Sequence, residues 1–371
     1  MRILQLIKHC NLCNGHVNVA VDLACLHARD GHAVAVGSAG GDYEPFFRKN
    51  GIAHHRVVAG RSPLAVAGAV ASVIKLCRRF RPDIIHAHMM SSAVLGALAS
   101  RLLGVPLVTT MHNSFDTHSG LMRMGDAVVA VSEAERRLLL SRGFPDAKLV
   151  TIRNGTVGSP REAMDPGGPL PVFPTPCIVA LCGLHERKGV HHLIAAFARV
   201  AADHPDWHLN IIGEGPDAAR LRAQVHELDL DSRVHLVGAV SNPKRLLERA
   251  DIFALASLAD PSALVLIEGR AAGCAMVATE VGGTAEALAF GAAGQLVPPG
   301  DPEAMAAAFA LLMASPDRLA EWRRRARENL ELFGVERTAA KYLALYERLG
   351  RRGQVRPFED RISSSVRPKV Q

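Results

Sequence analysis

Aromatic residues make up only 5% of this 371-residue chain, with two tryptophans and three tyrosines. No arginine-rich recognition helix accompanies that scarcity, so a nucleic-acid-binding role is disfavoured despite a basic net charge. Long apolar runs are missing as well. Uncharged apolar runs such as Ser62–Ile74 and Ala304–Pro316 hold 13 residues each, against the roughly 20 that a membrane-crossing helix requires. The start, MRILQLIKHCNLCNG, meets Lys8 and His9 after one short apolar run. That is too short for a signal-peptide core, and a cytoplasmic location is expected, with peripheral contact at the inner membrane face kept as an option. Cysteine is sparse: seven residues, odd in number and scattered, which argues against a secreted disulfide framework. Cys10 and Cys13 form a CxxC without a second pair at zinc spacing, so no metal centre is expected there.

What is present is ordinary globular material, 49% hydrophobic and 21% charged, long enough for two domains at roughly 100–200 residues each. The net charge of +7 is uneven: residues 1–160 carry +8, residues 161–350 carry −5 and the tail 351–371 carries +4. A basic first half suits an anionic membrane surface or a phosphorylated acceptor.

Both halves repeat one rhythm of β-branched run, turn and amphipathic helix. In the first, Arg2–Ile7, Ala33–Gly37, Asp83–His86, Leu107–Met111 and Ala127–Val131 read as strands. Val17–Arg29, Ser91–Leu103 and Glu133–Ser141 read as helices. The stretch Thr156–Pro176 breaks the rhythm with repeated Gly and Pro, which is linker chemistry. After it, Ile178–Leu184, His208–Gly213, Val234–Val237, Ile252–Ala256 and Ala275–Thr279 read as strands. The expected fold class is α/β, two doubly wound Rossmann-like domains facing each other across a cleft. In such sheets, ligands sit beyond the carboxyl ends of the strands.

Candidate chemistry clusters at those ends. Lys188-Gly189 follows a strand and precedes a helix at Val190, where free N–H groups and a lysine attract phosphate. In Asp260-Pro261, Asp260 reads as an N-cap with proline at the first helical position. Glu268 follows four large apolar residues in a helix expected to be largely buried, where a carboxylate is costly without partners. His112 ends the strand Leu107–Met111 and faces the cleft in this architecture. His86 and His88 share a strand face by their spacing, without a third metal ligand nearby. Gly15, Gly213 and the pair Gly282-Gly283 with Glu286 mark loops at strand ends. Asp229-Leu230-Asp231, although a DxD, reads as a solvated turn.

These segments resemble the retaining GT-B glycosyltransferase family, glycosyl transferases group 1, that includes the bacterial phosphatidylinositol mannosyltransferases. The likeness spans roughly residues 1–350, through RPDIIHAH, VTTMHNSF, VAVSEAERRLL, ERKGVHHLIAAF, IIGEGP and VGGTAEALAFGAAGQLVPPGDPEAMA. DPSALVLIEGRAAGCAMVATEVGG matches the family's E-x7-E region, and FGVERTAAKYLALYERL its closing helix.

The resemblance implies transfer of a hexose from a UDP- or GDP-sugar to a sugar or lipid-linked acceptor, with retention of configuration. The expected setting is polysaccharide, lipopolysaccharide or glycolipid assembly. It implies an acceptor domain over 1–155, a linker over 156–176 and a donor domain over 177–333. A closing helix over 334–350 and a basic tail over 351–371 complete the chain. Glu268 would hold ribose hydroxyls, Asp260 donor-sugar hydroxyls and Lys188 the departing diphosphate. His112 would line the reaction centre. Gly15, Arg187, Gly213, Val240, Ser262, Leu264 and Val265 would contact the donor, with the Leu264 and Val265 N–H groups on phosphate. No cofactor or divalent metal is expected.

Two positions depart from the pattern: Asp260 stands for the first glutamate, and Gly183 for a common arginine that Arg187 would replace. A nucleotide-sugar epimerase and a non-catalytic nucleotide-sugar-binding protein are the alternatives. A nicotinamide-dependent oxidoreductase is disfavoured, because no G-x-G-x-x-G follows the first strand.

Overall fold

A computed structural model describes residues 1–354 except 59, 61, 165–173, 241 and 242, with side chains through 350. Most of the expected basic tail and the centre of the expected linker therefore lie outside the described residues. The chain forms two sheets in which every pairing is parallel. The first comprises β1 (Arg2–Leu6), β2 (Ala33–Ser38), β3 (Ala53–Arg56), β4 (Ile84–Ala87), β5 (Leu107–Met111), β6 (Ala127–Ala130) and β7 (Leu149–Thr151). The second comprises β8 (Cys177–Leu181), β9 (His208–Ile212), β10 (Val234–Gly238), β11 (Ile252–Leu255), β12 (Ala275–Thr279) and β13 (Gln295–Val297). Their orders are β3-β2-β1-β4-β5-β6-β7 and β10-β9-β8-β11-β12-β13. Helices cover both faces, so the central strands are buried throughout and mostly apolar, as IIHA of β4 and AMVAT of β12 illustrate. Among the described residues no helix is long and apolar enough to cross a membrane.

Helix starts follow local chemistry. Ser62, Ser132, Asp301 and Ser315 each accept a hydrogen bond from the N–H three residues on, and proline follows directly after three of them. Three strands escaped the reading above: β3, β7 and β13. All are three or four residues long, all three lie at sheet edges, and the AHHR of β3 is too polar to register as a strand. Between β2 and β4 the chain also forms the helix Glu44–Lys49, just before β3.

The helix Val335–Gln354 returns to the first sheet. Its Val335, Ala339, Tyr342, Leu345 and Tyr346 are buried in the same core as Ile3, Val17, Leu23 and Ile84. The chain thus crosses between the lobes twice, and the crossings lie side by side: Val157 and Gly334 form a parallel bridge, and the Thr156 N–H donates to the Phe333 carbonyl. Tyr346 Oη lies 2.7 Å from His86 Nδ1, and Tyr342 Oη lies 3.0 Å from Thr110 Oγ1. His27 Nε2 donates to the Ala339 carbonyl at 3.1 Å.

These histidines stay neutral because burial disfavours the imidazolium. Burial first, then nearby positive neighbours, pushes His16 down to about 4, and burial does the same for His27. The unfolded chain binds a proton on each below the ordinary value of 6.5, so their contribution is complete above pH 6.5. It is lost as pH falls from 6.5 toward 4. At pH 5 the loss is roughly 1–2 kcal/mol per residue. Urea unfolding at pH 7.5 and pH 5 will show lower stability at the acid pH, and His27→Gln will flatten that difference.

Candidate active site

The carboxyl ends of the two sheets face one cavity of about 990 Å³. Its first-lobe wall is built from the segments after β1, β2, β4, β5 and β6, and its second-lobe wall from those after β8, β9, β10 and β11. Gly15, His112, Arg187, Lys188, Gly213, Val240, Asp260, Ser262, Leu264, Val265 and Glu268 all line it. Residues scattered from 15 to 268 meet because each follows a strand whose end points the same way.

On the second-lobe wall, Lys188 ends a short turn, Glu186–Lys188, just before the helix Val190–Ala201. Its Nζ sits 2.5 Å from Asp260 Oδ2, and both side chains are nearly buried. The N-cap expected of Asp260 is corrected by the structure. The helix begins at Leu264 with Ala263 as its cap, so Asp260 lies in the extended approach and turns its carboxylate to Lys188 instead. The helix Leu264–Ala272 presents its N-terminus to the cavity, a favourable place for an anion. Arg187 lies beside this wall, with Nη1 3.4 Å from the Ala259 carbonyl. Gly213 is required for backbone reasons: at φ +138° a Cβ there would stand 1.9 Å from the Cys182 carbonyl oxygen. Gly282 likewise has φ +50° and would place a Cβ 1.8 Å from the Asp260 carbonyl oxygen.

Glu268 keeps some access to the cavity, yet burial raises its pKa, opposed by Arg161 and a hydrogen bond from Thr156. Thr156 Oγ1 donates to Glu268 Oε1 at 3.2 Å. Across the cavity His112 Nε2 meets His88 Nδ1 at 3.1 Å. Cys13 Sγ lies 3.6 Å from the Val240 carbonyl oxygen, so the lobes touch at that rim.

Sequence reasoning missed the group that joins the walls. Asp22, on the helix Gly15–Arg29, is fully buried and accepts from Arg161 Nε at 2.8 Å and Arg161 Nη2 at 3.0 Å. Ser159 Oγ donates to the same carboxylate at 2.7 Å. Arg161 Nη2 also reaches Thr156 Oγ1 at 3.3 Å. Burial raises the Asp22 pKa, and Arg161 offsets that. The signal was obscured because Arg161 falls inside the Gly- and Pro-rich stretch, and its partner lies 139 positions away. The Gly282-Gly283 loop also serves differently from its expected ligand contact: Glu286 accepts from the Ala134 N–H at 2.9 Å and from Arg153 Nε at 3.0 Å, tying the lobes beside the cavity. Asp231 of the DxD lies in an exposed turn 3.1 Å from His226 Nδ1.

Two facing parallel sheets with their carboxyl edges on one cleft define a GT-B glycosyltransferase fold. Solved structures agree. HepE from Anabaena, in complex with UDP and glucose, superposes with a TM-score of 0.81 over 94% of this chain and 100% of that one at 22% identity. Sucrose-phosphate synthase from Thermosynechococcus elongatus gives a TM-score of 0.76 over 94% and 98% at 21% identity. The family description "Glycosyl transferases group 1" matches residues 175–329, and "Glycosyltransferase Family 4" matches residues 13–157.

Glycogen synthase of Mycobacterium tuberculosis is 30% identical over 303 residues, 76% of this chain and 72% of that protein. The phosphatidyl-myo-inositol mannosyltransferase of Mycolicibacterium smegmatis is 28% identical, covering 71% of each. The chain belongs to the group 1 glycosyltransferases, enzymes that transfer a sugar from a nucleotide sugar.

The Asp22–Arg161 pair yields a test. Removing one partner of a buried pair strands the other and typically costs about 3–5 kcal/mol. Asp22→Asn is expected to lower the unfolding free energy by an amount in that range, while Arg29→Gln, which breaks an exposed pair with Glu336, changes it by less than about 1 kcal/mol. Urea unfolding measures both.

Proposed function

We propose that this enzyme is a retaining, metal-independent hexosyltransferase that uses a UDP- or GDP-sugar. Its acceptor is a sugar or lipid-linked glycan in cytoplasmic assembly of polysaccharide, lipopolysaccharide or glycolipid. The observation that carries this reading is the second-lobe wall, where Lys188, Arg187 and the N-terminus of the helix Leu264–Ala272 meet around one cavity. As the donor bond breaks, negative charge grows on the departing diphosphate. Fixed cations and free N–H groups stabilise that charge without first having to reorganise. In this scheme the Leu264 and Val265 N–H groups receive phosphate oxygens beside Ser262. Lys188 divides its charge between Asp260 and the diphosphate, so no divalent ion is needed to screen the leaving group.

Asp260, one methylene shorter than glutamate, is already held against Lys188, and the donor sugar reaches its carboxylate from the cavity side. Glu268 accepts from the ribose hydroxyls in place of Thr156. Gly213 and Val240 border the base, and Arg187 contributes the charge missing at Gly183. Gly15 leaves space for the phosphates: a Cβ there would meet only Leu264 Cδ1, at 3.8 Å. The first-lobe wall supports an acceptor that presents hydroxyl groups. Its described residues include Asn14, Asn18, Tyr43, Met89, His112 and Asn113, and Arg161, which reaches the cavity from this side, is taken up by Asp22. His112 lies on that wall, opposite the diphosphate site.

Lys188→Ala is expected to weaken nucleoside diphosphate binding at least tenfold by calorimetric titration. Equal affinity would remove the clamp from the proposal. Glu268→Ala is expected to abolish transfer and donor hydrolysis while far-ultraviolet circular dichroism stays native, and unchanged turnover would remove Glu268 from the site. Incubating each nucleotide sugar with and without glycan acceptors, followed by anomeric analysis, separates a retaining transferase from an epimerase, which needs no acceptor.

A further inference from the structure

His112 does not stand alone behind the first-lobe wall. Its Nε2 lies 3.1 Å from His88 Nδ1, and His88 Nε2 lies 2.9 Å from Gln5 Oε1. The planes of the His88 and His112 rings differ by only 17°, with centroids 5.4 Å apart, so the two rings lie nearly edge to edge along that hydrogen bond. Gln5 on β1 and His88 just beyond β4 are both fully buried, whereas His112 retains access to the cavity. The three therefore form a line from the interior of the sheet to the wall of the cleft.

A carboxamide oxygen can only accept, so His88 must carry its proton on Nε2. A neutral His88 then has a bare Nδ1, which can only accept, so His112 must carry its proton on Nε2. That leaves His112 Nδ1, which has no hydrogen-bond partner among the described residues, without a proton. Neutrality of both rings follows from their surroundings. Burial lowers the pKa of each well below the ordinary histidine value, and His16 and His86 crowd the pair. Tyr346 and Thr110 occupy both nitrogens of His86, so that ring is not a competing partner for His88.

Resting on the reading of His112 as part of the reaction centre, we propose that Gln5 and His88 are positioning residues that fix the tautomer of His112. The ring is held as the Nε2–H form, with Nδ1 presented to the cleft as an acceptor for a substrate hydroxyl. Each link reverses if the Gln5 amide turns round. Its NH2 group would then donate to His88, and His112 would offer an Nδ1–H donor to the cleft. The arrangement thus makes a definite statement about one proton.

Nitrogen-15 spectra of the intact protein, with the His112 signals assigned by their loss in His112→Phe, distinguish a bare ring nitrogen from a protonated one. A protonated Nε2 and bare Nδ1 on His112 are expected, and a protonated Nδ1 would overturn the proposal without touching the donor site. Gln5→Leu should give a mixture of tautomers, and His88→Leu should lower kcat while leaving the donor KM within about twofold. Loss of one orienting hydrogen bond is worth on the order of a tenfold fall in kcat. His88→Asn, whose amide oxygen can replace Nδ1 as acceptor, should recover most of that loss. A natively folded His88→Leu protein with wild-type kcat, or a His88→Asn protein no better than His88→Leu, would also overturn it. Should Gln5→Leu fail to fold, the wild-type spectrum decides. Failure of the parent reading would look different, since His112→Phe would then turn over at the wild-type rate while the wild-type nitrogen-15 spectrum still showed the Nε2–H form.

Discussion

A single carboxylate without water determines how the two halves of this molecule meet. Asp22 is buried on the first helix and raised in pKa by that burial. Its charge is tolerable only because Arg161 meets it with two hydrogen bonds and Ser159 adds a third. Arg161 and Ser159 belong to the segment leaving the first sheet, so this demand draws that segment across the helix Gly15–Arg29. Thr156 is thereby brought against Glu268 of the second lobe. The cleft follows from that geometry. Its floor is the crossing segment, and its walls are the carboxyl edges of the two sheets.

The walls divide the chemistry by charge. Cations and a free helix N-terminus gather on the second lobe, while the first contributes neutral amides, a phenol and a line of histidines. In the proposed reaction the anionic leaving group would take the second-lobe side and a hydroxyl-bearing acceptor the first. This asymmetry is what a group 1 glycosyltransferase needs, because the charge that develops in the reaction lies wholly on the donor.

Much of this could be read from residues alone, for physical reasons. Strands buried on both faces are largely apolar, so β1, β5, β8 and β11 stood out, and the segments after them carry Gly15, His112, Lys188 and Glu268. Short edge strands such as β3 and β13 carry no such pattern. The start of the helix at Leu264 was misjudged because Asp-Pro is a strong local capping signal, and here the ion pair with Lys188 overrides it. Arg161 was invisible for a different reason. Its partner is remote in sequence, and its neighbours are the glycines and prolines of a connecting stretch. The histidine line was half visible: the spacing of His86 and His88 placed them on one face, but only the pairing of β4 with β5 brings His112 alongside.

The two crossings between the lobes are adjacent, bridged at Val157 and Gly334, and Gly155 packs there against the Phe333 and Gly334 carbonyls so closely that a Cβ would stand 2.7 to 2.8 Å from them. Two straps joined along one line act mechanically as a hinge pin. They leave the lobes one inexpensive freedom, rotation about that line, and resist sliding or separation. Opening and narrowing of the cleft then become a single angular coordinate. The rim where Cys13 meets Val240 would then part as the angle widens, while Thr156 and Glu268, next to the bridged crossings, scarcely change their separation.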